Sequence, residues 1–274
     1  MSDVPNSRQL ALLIAAIVAF AVSSVIALMR LRSQQESLRV PGKIALYAGI
    51  VLGIAVLAWH SWLRGSWIPL EDNFDALVWL AMLLALFVAY TQRTHPLRGL
   101  ESFVAPLITI LLIAAAVFGR AKPHEYINRA WSWFHRSSAF GGALAFAIAG
   151  SAGAMYLFVN HQLRAKRVNP SGRLGNLERL ERVTVVAVTL GFALLTIALI
   201  TGLVLALQGS ALGKNWYTQP KVILTLSAWV VYALVMNWPI NPSLRGRKTA
   251  ILSVIGFALM SCVLVAVQLM PATR

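Results

Sequence analysis

Residues 183–213 read VTVVAVTLGFALLTIALITGLVLALQGSALG, with no Asp, Glu, Lys or Arg anywhere along them. About 20 helical residues, rising about 1.5 Å each, cross the roughly 30 Å hydrocarbon core of a bilayer, so this stretch can span a membrane as one helix. Its backbone amides pair inside such a helix, whereas an open strand would leave edge groups bare in lipid. Seven more uncharged stretches follow the same pattern: residues 10–29, 44–63, 76–92, 102–119, 137–163, 222–244 and 249–273. Together they predict an all-α integral membrane bundle of eight transmembrane helices, forming a single polytopic membrane domain over residues 1–274. The 58% hydrophobic and 12% charged composition agrees, because one compact core in water could not bury so much apolar sequence.

The net charge of +15 could suggest nucleic acid, but its distribution points elsewhere. Most of the 24 basic residues fall in alternate turns: Arg30, Arg32, Arg39 and Lys43; Arg93 and Arg98; Arg164, Lys166, Arg167, Arg173, Arg179 and Arg182; Arg245, Arg247 and Lys248. Positive turns stay cytoplasmic, which places both termini on the outer, periplasmic side. The basic excess is an orientation signal, with no nucleic-acid partner implied. The first stretch is longer than the apolar region of a secretory signal, and its basic cluster follows rather than precedes it. It is expected to remain as the first helix. The single cysteine, Cys262, lies in the last apolar stretch, so neither a disulfide framework nor a Cys-x-x-Cys-His haem attachment site can be built.

On the outer side the turns are rich in indole and imidazole. One reads Trp62-Leu-Arg-Gly-Ser-Trp67-Ile-Pro69-Leu-Glu-Asp-Asn-Phe74-Asp75; the next contains Lys122-Pro123-His124 and Trp131-Ser-Trp133-Phe134-His135-Arg136; the third runs from Gly213 through Trp216 to Pro220-Lys221. Aromatic belts normally form at both interfaces, yet here only Trp229 and Trp238 lie away from this side. The excess suggests more than anchoring. His60 and His135 each lie near the outer end of an apolar helix beside tryptophans, and two opposed imidazoles can hold a haem iron through its axial positions. Interfacial hydrogen bonding is the plainer role for any single histidine. His124 sits in a more hydrophilic turn, and His95 and His161 lie in or beside cytoplasmic turns.

From the fifth stretch onward the order of features becomes specific. Trp133-Phe-His135 opens a helix; Leu177-Glu-Arg-Leu180 precedes Gly191-Phe192-Ala-Leu194-Leu195-Thr196 and Thr201-Gly202; then come Gly213, Trp216, Pro220-Lys221 and Trp229-Val-Val-Tyr232. In this order they resemble the cytochrome c assembly membrane proteins of the CcsA and HemX-like group, whose Gly-Phe-x-Leu-Leu-Thr helix leads into a tryptophan-rich outer loop and a Pro-Lys helix start. Pro69-Leu70 followed by Phe74-Asp75 is similar to the family's Pro-Leu…Tyr-Glu turn. The resemblance covers most of residues 60–270.

What the resemblance implies is haem handling in or across the membrane for cytochrome maturation, or an influence on haem synthesis. His135 matches the family's histidine before the loop. The loop of the best-known branch, Trp-Gly-x-x-Trp-x-Trp-Asp-Pro-Lys, falls here on Leu212, Gly213, Trp216, Thr218, Gln219, Pro220 and Lys221, so two tryptophans and the aspartate are missing. The family's histidine at the end of the following helix falls on Asn237, and a later outer histidine has no counterpart around Gln268. These departures favour the HemX-like branch over the haem-attaching synthetases.

A haem-handling membrane protein of cytochrome c biogenesis is therefore expected, working at the outer face of a bacterial inner membrane. Its cofactor would be haem, held in passing by His60 and His135 at the iron, by Trp131, Trp133 and Trp216 as an aromatic shelf, and by the Pro220-Lys221 helix start or Arg136 toward the propionates. Its partners would be the bilayer and cytochrome c maturation proteins or the apocytochrome. Two alternatives remain: a non-enzymatic scaffold or regulator of haem synthesis without stable haem, and a small-molecule transporter. Transporters place acids or paired bases within the bilayer and show internal repeats; the nine acids here lie in turns or at helix ends. No nucleophile beside a base, phosphate-cradling glycine loop or paired metal-ligand spacing is present in the sequence, and no enzymatic activity is expected. On helix 5, Gly141, Ala145, Ala149 and Gly153 recur every fourth position, a stripe that lets another helix approach closely.

Overall fold

The computed structural model describes residues 7–33, 36–94, 97, 99–119, 129–165, 177–207, 216–237 and 245–269. Among these residues all regular structure is helical: α1 (Ser7–Ser33), a 3-10 turn at Glu36–Leu38, α2 (Arg39–Arg64), α3 (Asn73–Thr94), α4 (Glu101–Phe118), α5 (Arg129–Arg164), α6 (Leu177–Leu207), a second 3-10 turn at Trp216–Thr218, α7 (Pro220–Met236) and α8 (Arg247–Leu269). Seven of them, α1 to α6 and α8, are long and apolar enough to cross a membrane. The remaining apolar stretch, residues 222–244, forms a helix shorter than the uncharged run: α7 has 17 residues, about 26 Å at about 1.5 Å per residue. Pro220 sets its first turn, and Pro239 and Pro242 disfavour helix in the residues before them, so α7 ends at Met236 although apolar sequence continues to Leu244.

The helices carry apolar side chains outward as well as inward. Val18, Val22 and Val25 on α1, Leu190 and Ile200 on α6, and Ile223 and Val230 on α7 are exposed, while Leu13, Phe20 and Tyr232 are buried. A surface of this kind is unfavourable in water and natural against lipid tails. The chain is a multi-pass membrane protein.

It divides into two compact units, Met1–His124 and Glu125–Arg274. In the first, α1 runs antiparallel to both α2 and α4. Gly49 of α2 leaves room for the Phe20 ring, which a methyl group there would meet at 2.9 Å. Polar pairs fix the α1–α4 register: Ser24 Oγ lies 3.1 Å from Thr109 Oγ1, Ser102 donates to the Ala27 carbonyl at 2.8 Å, and Arg30 meets Glu101 at 3.2 Å. Hydroxyl bonds between helices are worth retaining where lipid offers no competing partner.

The second unit is built on close approach through small residues. The every-fourth stripe of α5 does not serve one neighbour: Gly141 faces Leu194 of α6, whereas Gly153 faces Ala250 of α8. Each residue turns an α-helix by about 100°, so a step of four overshoots a full turn by about 40° and the stripe drifts around the axis. Gly142 and Gly150 reinforce the same two contacts, against the Gly191 carbonyl and the Phe257 ring. Between them Phe146 and Tyr232 stack at 3.6 Å and 6°, with Gly256 of α8 closing on the phenol ring. A Cβ at Gly256 would stand 2.6 Å from Tyr232 Cζ, and Phe146 blocks the ring's retreat. Gly256→Ala is expected to destabilise this unit by about 1–3 kcal/mol, the usual cost of overpacking, measured as a lower unfolding midpoint in detergent.

Candidate functional site

In the first unit, a buried polar cluster gathers where α2 ends and α3 begins. His60 and Arg64, one helical turn apart, share a face of α2. Gly65, at φ +72°, then stops the helix, its amide donating to the Trp62 carbonyl at 3.2 Å. Asp72 caps α3, its Oδ1 accepting the Asp75 amide at 2.7 Å and so satisfying one of the free donors of the first turn. Asp75 reaches back to the Leu70 amide at 2.7 Å. Leu70 sits at φ +62°, a conformation that a side chain disfavours, and the Asp75 bond holds it there.

Arg64 is the centre of this cluster. Its Nη1 contacts Asp72 Oδ2 at 3.1 Å, its Nε lies 3.2 Å from Glu71 Oε2, and its Nη2 donates to the carbonyls of Ser66 at 3.1 Å and Ile68 at 2.7 Å. His60 donates from Nε2 to Asp72 Oδ2 at 2.8 Å and accepts from the Gln9 amide at Nδ1, 2.9 Å away, with Phe74 tilted against its ring at 4.7 Å. Both nitrogens of His60 are therefore committed inside the first unit, and the imidazole is buried. It is not the open ring that its place beside Trp59 and Trp62 suggested.

Burial alone would raise the Asp72 carboxyl, but the bond from His60, the Asp75 amide and the Arg64 charge outweigh it and hold the group below the ordinary carboxylate range. A carboxyl depressed on folding contributes stability above its unfolded pKa and loses it as pH falls toward the folded one. Stability should thus decline through the acid range. Asp72→Asn is expected to lower the unfolding midpoint at neutral pH and to flatten that decline; an unchanged acid slope would count against the assignment.

In the second unit, α5 and α6 run antiparallel and set the imidazole of His135 against Ala198, Thr201 and Gly202. Its Nδ1 lies 2.8 Å from the Ala198 carbonyl oxygen and 3.3 Å from Thr201 Oγ1. A carbonyl only accepts, so Nδ1 carries the proton and Nε2 keeps a lone pair. Gly202 makes room for the ring, because a Cβ there would lie 2.9 Å from His135 Cε1. Lys221, in the first turn of α7, lies within electrostatic range of His135. A cation in that turn opposes the positive helix terminus and so adds nothing to the stability of α7.

The aromatic residues divide similarly. Trp131 and Trp133 are exposed at the start of α5, Trp133 meeting Phe134 edge-on at 6.3 Å. Trp59, Trp62 and Trp67 are exposed in the first unit. Trp229 is turned inward, donating to Thr196 at 3.0 Å and stacking on Phe192 at 5.4 Å. Pro220 opens α7. Trp216 opens the second 3-10 turn, and its side chain lies outside the described residues, as do His95, His124, Leu212 and Gly213. Asn237, where the family's second histidine would fall, is exposed and bonds its own helix at Ala233, 2.8 Å away.

Sequence reasoning missed Gln9, Arg64 and Asp72. A signal was present: an arginine four residues after His60, followed by three acids within residues 71–75, is an expensive combination beside an apolar helix unless the charges pair. Among the described residues, no group of three or more His, Cys, Asp or Glu is placed to hold a metal ion.

Helices of this length, apolar on their outer surfaces and pinned by buried polar contacts, define a polytopic membrane protein. The model of the cytochrome c assembly protein family matches residues 67–273, and the chain belongs to that family. It is similar to the cytochrome c biogenesis protein CcsA of Prochlorococcus marinus strain MIT 9515, 25% identical over 76% of this chain and 74% of the relative. Likewise it is similar to the CcsA of Synechococcus sp. strain RCC307, 24% identical over 83% and 81%, and to that of Guillardia theta, 22% identical over 76% and 75%. No solved structure matches the chain.

Proposed function

We propose that the protein assists cytochrome c biogenesis by binding haem transiently at the outer face of a bacterial inner membrane, through the single imidazole of His135. The observation that carries this reading is the Nδ1 bond to the Ala198 carbonyl, which leaves Nε2 as an iron-donor nitrogen in the manner of ligating histidines oriented by a carbonyl. Haem would supply an iron that takes an axial nitrogen, a flat apolar face and two anionic propionates. Trp131 and Trp133 offer aromatic surface at the start of α5, and Trp216 and Pro220 flank the turn into α7. Lys221, in the first turn of α7, offers a positive charge to a carboxylate.

His60 in this reading is a positioning residue, holding α1, α2 and the Asp72 turn together. One donor nitrogen rather than two suits passing haem on better than storing it, and no bond-making chemistry of the chain's own is required. Family relatives named for cytochrome c biogenesis support the pathway, and the positive turns support an arrangement with both termini outward and α7 as the eighth span, its 17 residues reached through a locally thinned bilayer. Maturation proteins or the apocytochrome would receive the haem.

A second reading rests on Asn237 and the reduced tryptophan loop: a HemX-like scaffold without stable haem. Purification from haem-supplied cells separates the two. Haem handling predicts a Soret band that follows the protein through purification, and scaffolding predicts none.

A further inference from the structure

The ring of His135 is held from one side by three features within five residues of α6, at Ala198, Thr201 and Gly202. The Ala198 carbonyl takes the Nδ1 proton at 2.8 Å, Thr201 Oγ1 stands 3.3 Å from the same nitrogen, and Gly202 lacks the Cβ that would press on Cε1 at 2.9 Å. Thr201 is itself held: its hydroxyl lies 2.8 Å from the Ile197 carbonyl and 3.1 Å from that of Ala198. With its own proton given to those carbonyls, its oxygen is left to accept. One N–H is thus shared between a carbonyl and a hydroxyl, which fixes both the tautomer and the plane of the ring.

We propose that Thr201 and Gly202 are positioning residues for a haem-iron ligand: Gly202 admits the His135 imidazole against α6, and Thr201 with the Ala198 carbonyl locks its proton on Nδ1, aiming the Nε2 lone pair at the iron. This rests on the haem reading above. Losing an outer partner of a metal-bound histidine typically weakens metal affinity by about 10- to 100-fold. Adding a methyl group at Gly202 displaces the ring, and removing the hydroxyl at Thr201 leaves Nδ1 with the Ala198 carbonyl alone, so the ring plane is less fixed.

The test is a titration of the full chain in detergent with hemin, read at the Soret band, together with the midpoint potential of the bound haem. Wild type is compared with His135→Ala, Gly202→Ala, Thr201→Val and Thr201→Ser. The expected result is a loss of binding in His135→Ala, about 10-fold or more weaker binding in Gly202→Ala and Thr201→Val, a positive shift of potential in Thr201→Val, and recovery of both readouts in Thr201→Ser. Should Gly202→Ala fail to fold, the Thr201 pair decides alone, because valine keeps the shape and serine keeps the hydroxyl. If His135→Ala loses haem while Thr201→Val matches wild type in affinity and potential, the positioning role is overturned and the haem reading stands. Equal binding by wild type and His135→Ala, or no binding by either, overturns both.

Discussion

Arg64→Met is expected to lower stability by about 3–5 kcal/mol, the usual cost of removing one partner from a buried ion pair. The side chain of Arg64 is 7% exposed, and Asp72 and Asp75 are fully buried. Without the guanidinium, Asp72 keeps His60 and the Asp75 amide, but the carbonyls of Ser66 and Ile68 lose their donor and the buried carboxyls of Asp72 and Asp75 lose the charge that both contact. Arg30→Met provides the comparison, since the Arg30–Glu101 pair is more exposed, at 20% and 14%, and pairs near a surface contribute about 0–1 kcal/mol. Unfolding midpoints in the same detergent compare the two. If Arg64→Met costs no more than Arg30→Met, the cluster is not what holds the α2–α3 turn. Adding Asp72→Asn to Arg64→Met should restore part of the loss, because neighbours sharing a partner are not additive.

The helices were readable from sequence because absence of charge over some twenty residues is a strong and local signal. α6 shows how well this works: the uncharged run at 183–213 yields a helix, Leu177–Leu207, displaced only toward its charged start. The run is blurred at its edges because charged residues such as Glu178 and Arg182 continue a helix readily once they reach the interface. α7 is shorter than its uncharged run because Pro239 and Pro242, readable in the sequence as the end of that helix, stop it before the run is over.

The candidate site was legible in part. His135 and Lys221 stood out by residue type and order, and the structure places them in electrostatic range of each other. What made His135 distinctive was legible only in part: Gly202 is visible in the sequence as a small residue that allows close approach, but its partner, and the backbone carbonyl of Ala198, are not. His60 was misleading for the opposite reason. An imidazole next to tryptophans looks available until its partners are known, and those partners, Gln9 and Asp72, lie 51 and 12 residues away in the chain.

The second large effect falls on His135. Removing its side chain takes away an imidazole whose Nε2 is left as a donor by the bond at Nδ1, while removing His60 loosens a network and leaves that donor in place. Hemin titration of wild type, His135→Ala and His60→Ala, each held below its own unfolding midpoint, measures the difference directly. The expected result is saturable binding by wild type, at least about tenfold weaker binding by His135→Ala, and near wild-type affinity in His60→Ala despite its lower midpoint. Binding that survives in His135→Ala, or that disappears with His60→Ala, would contradict the account.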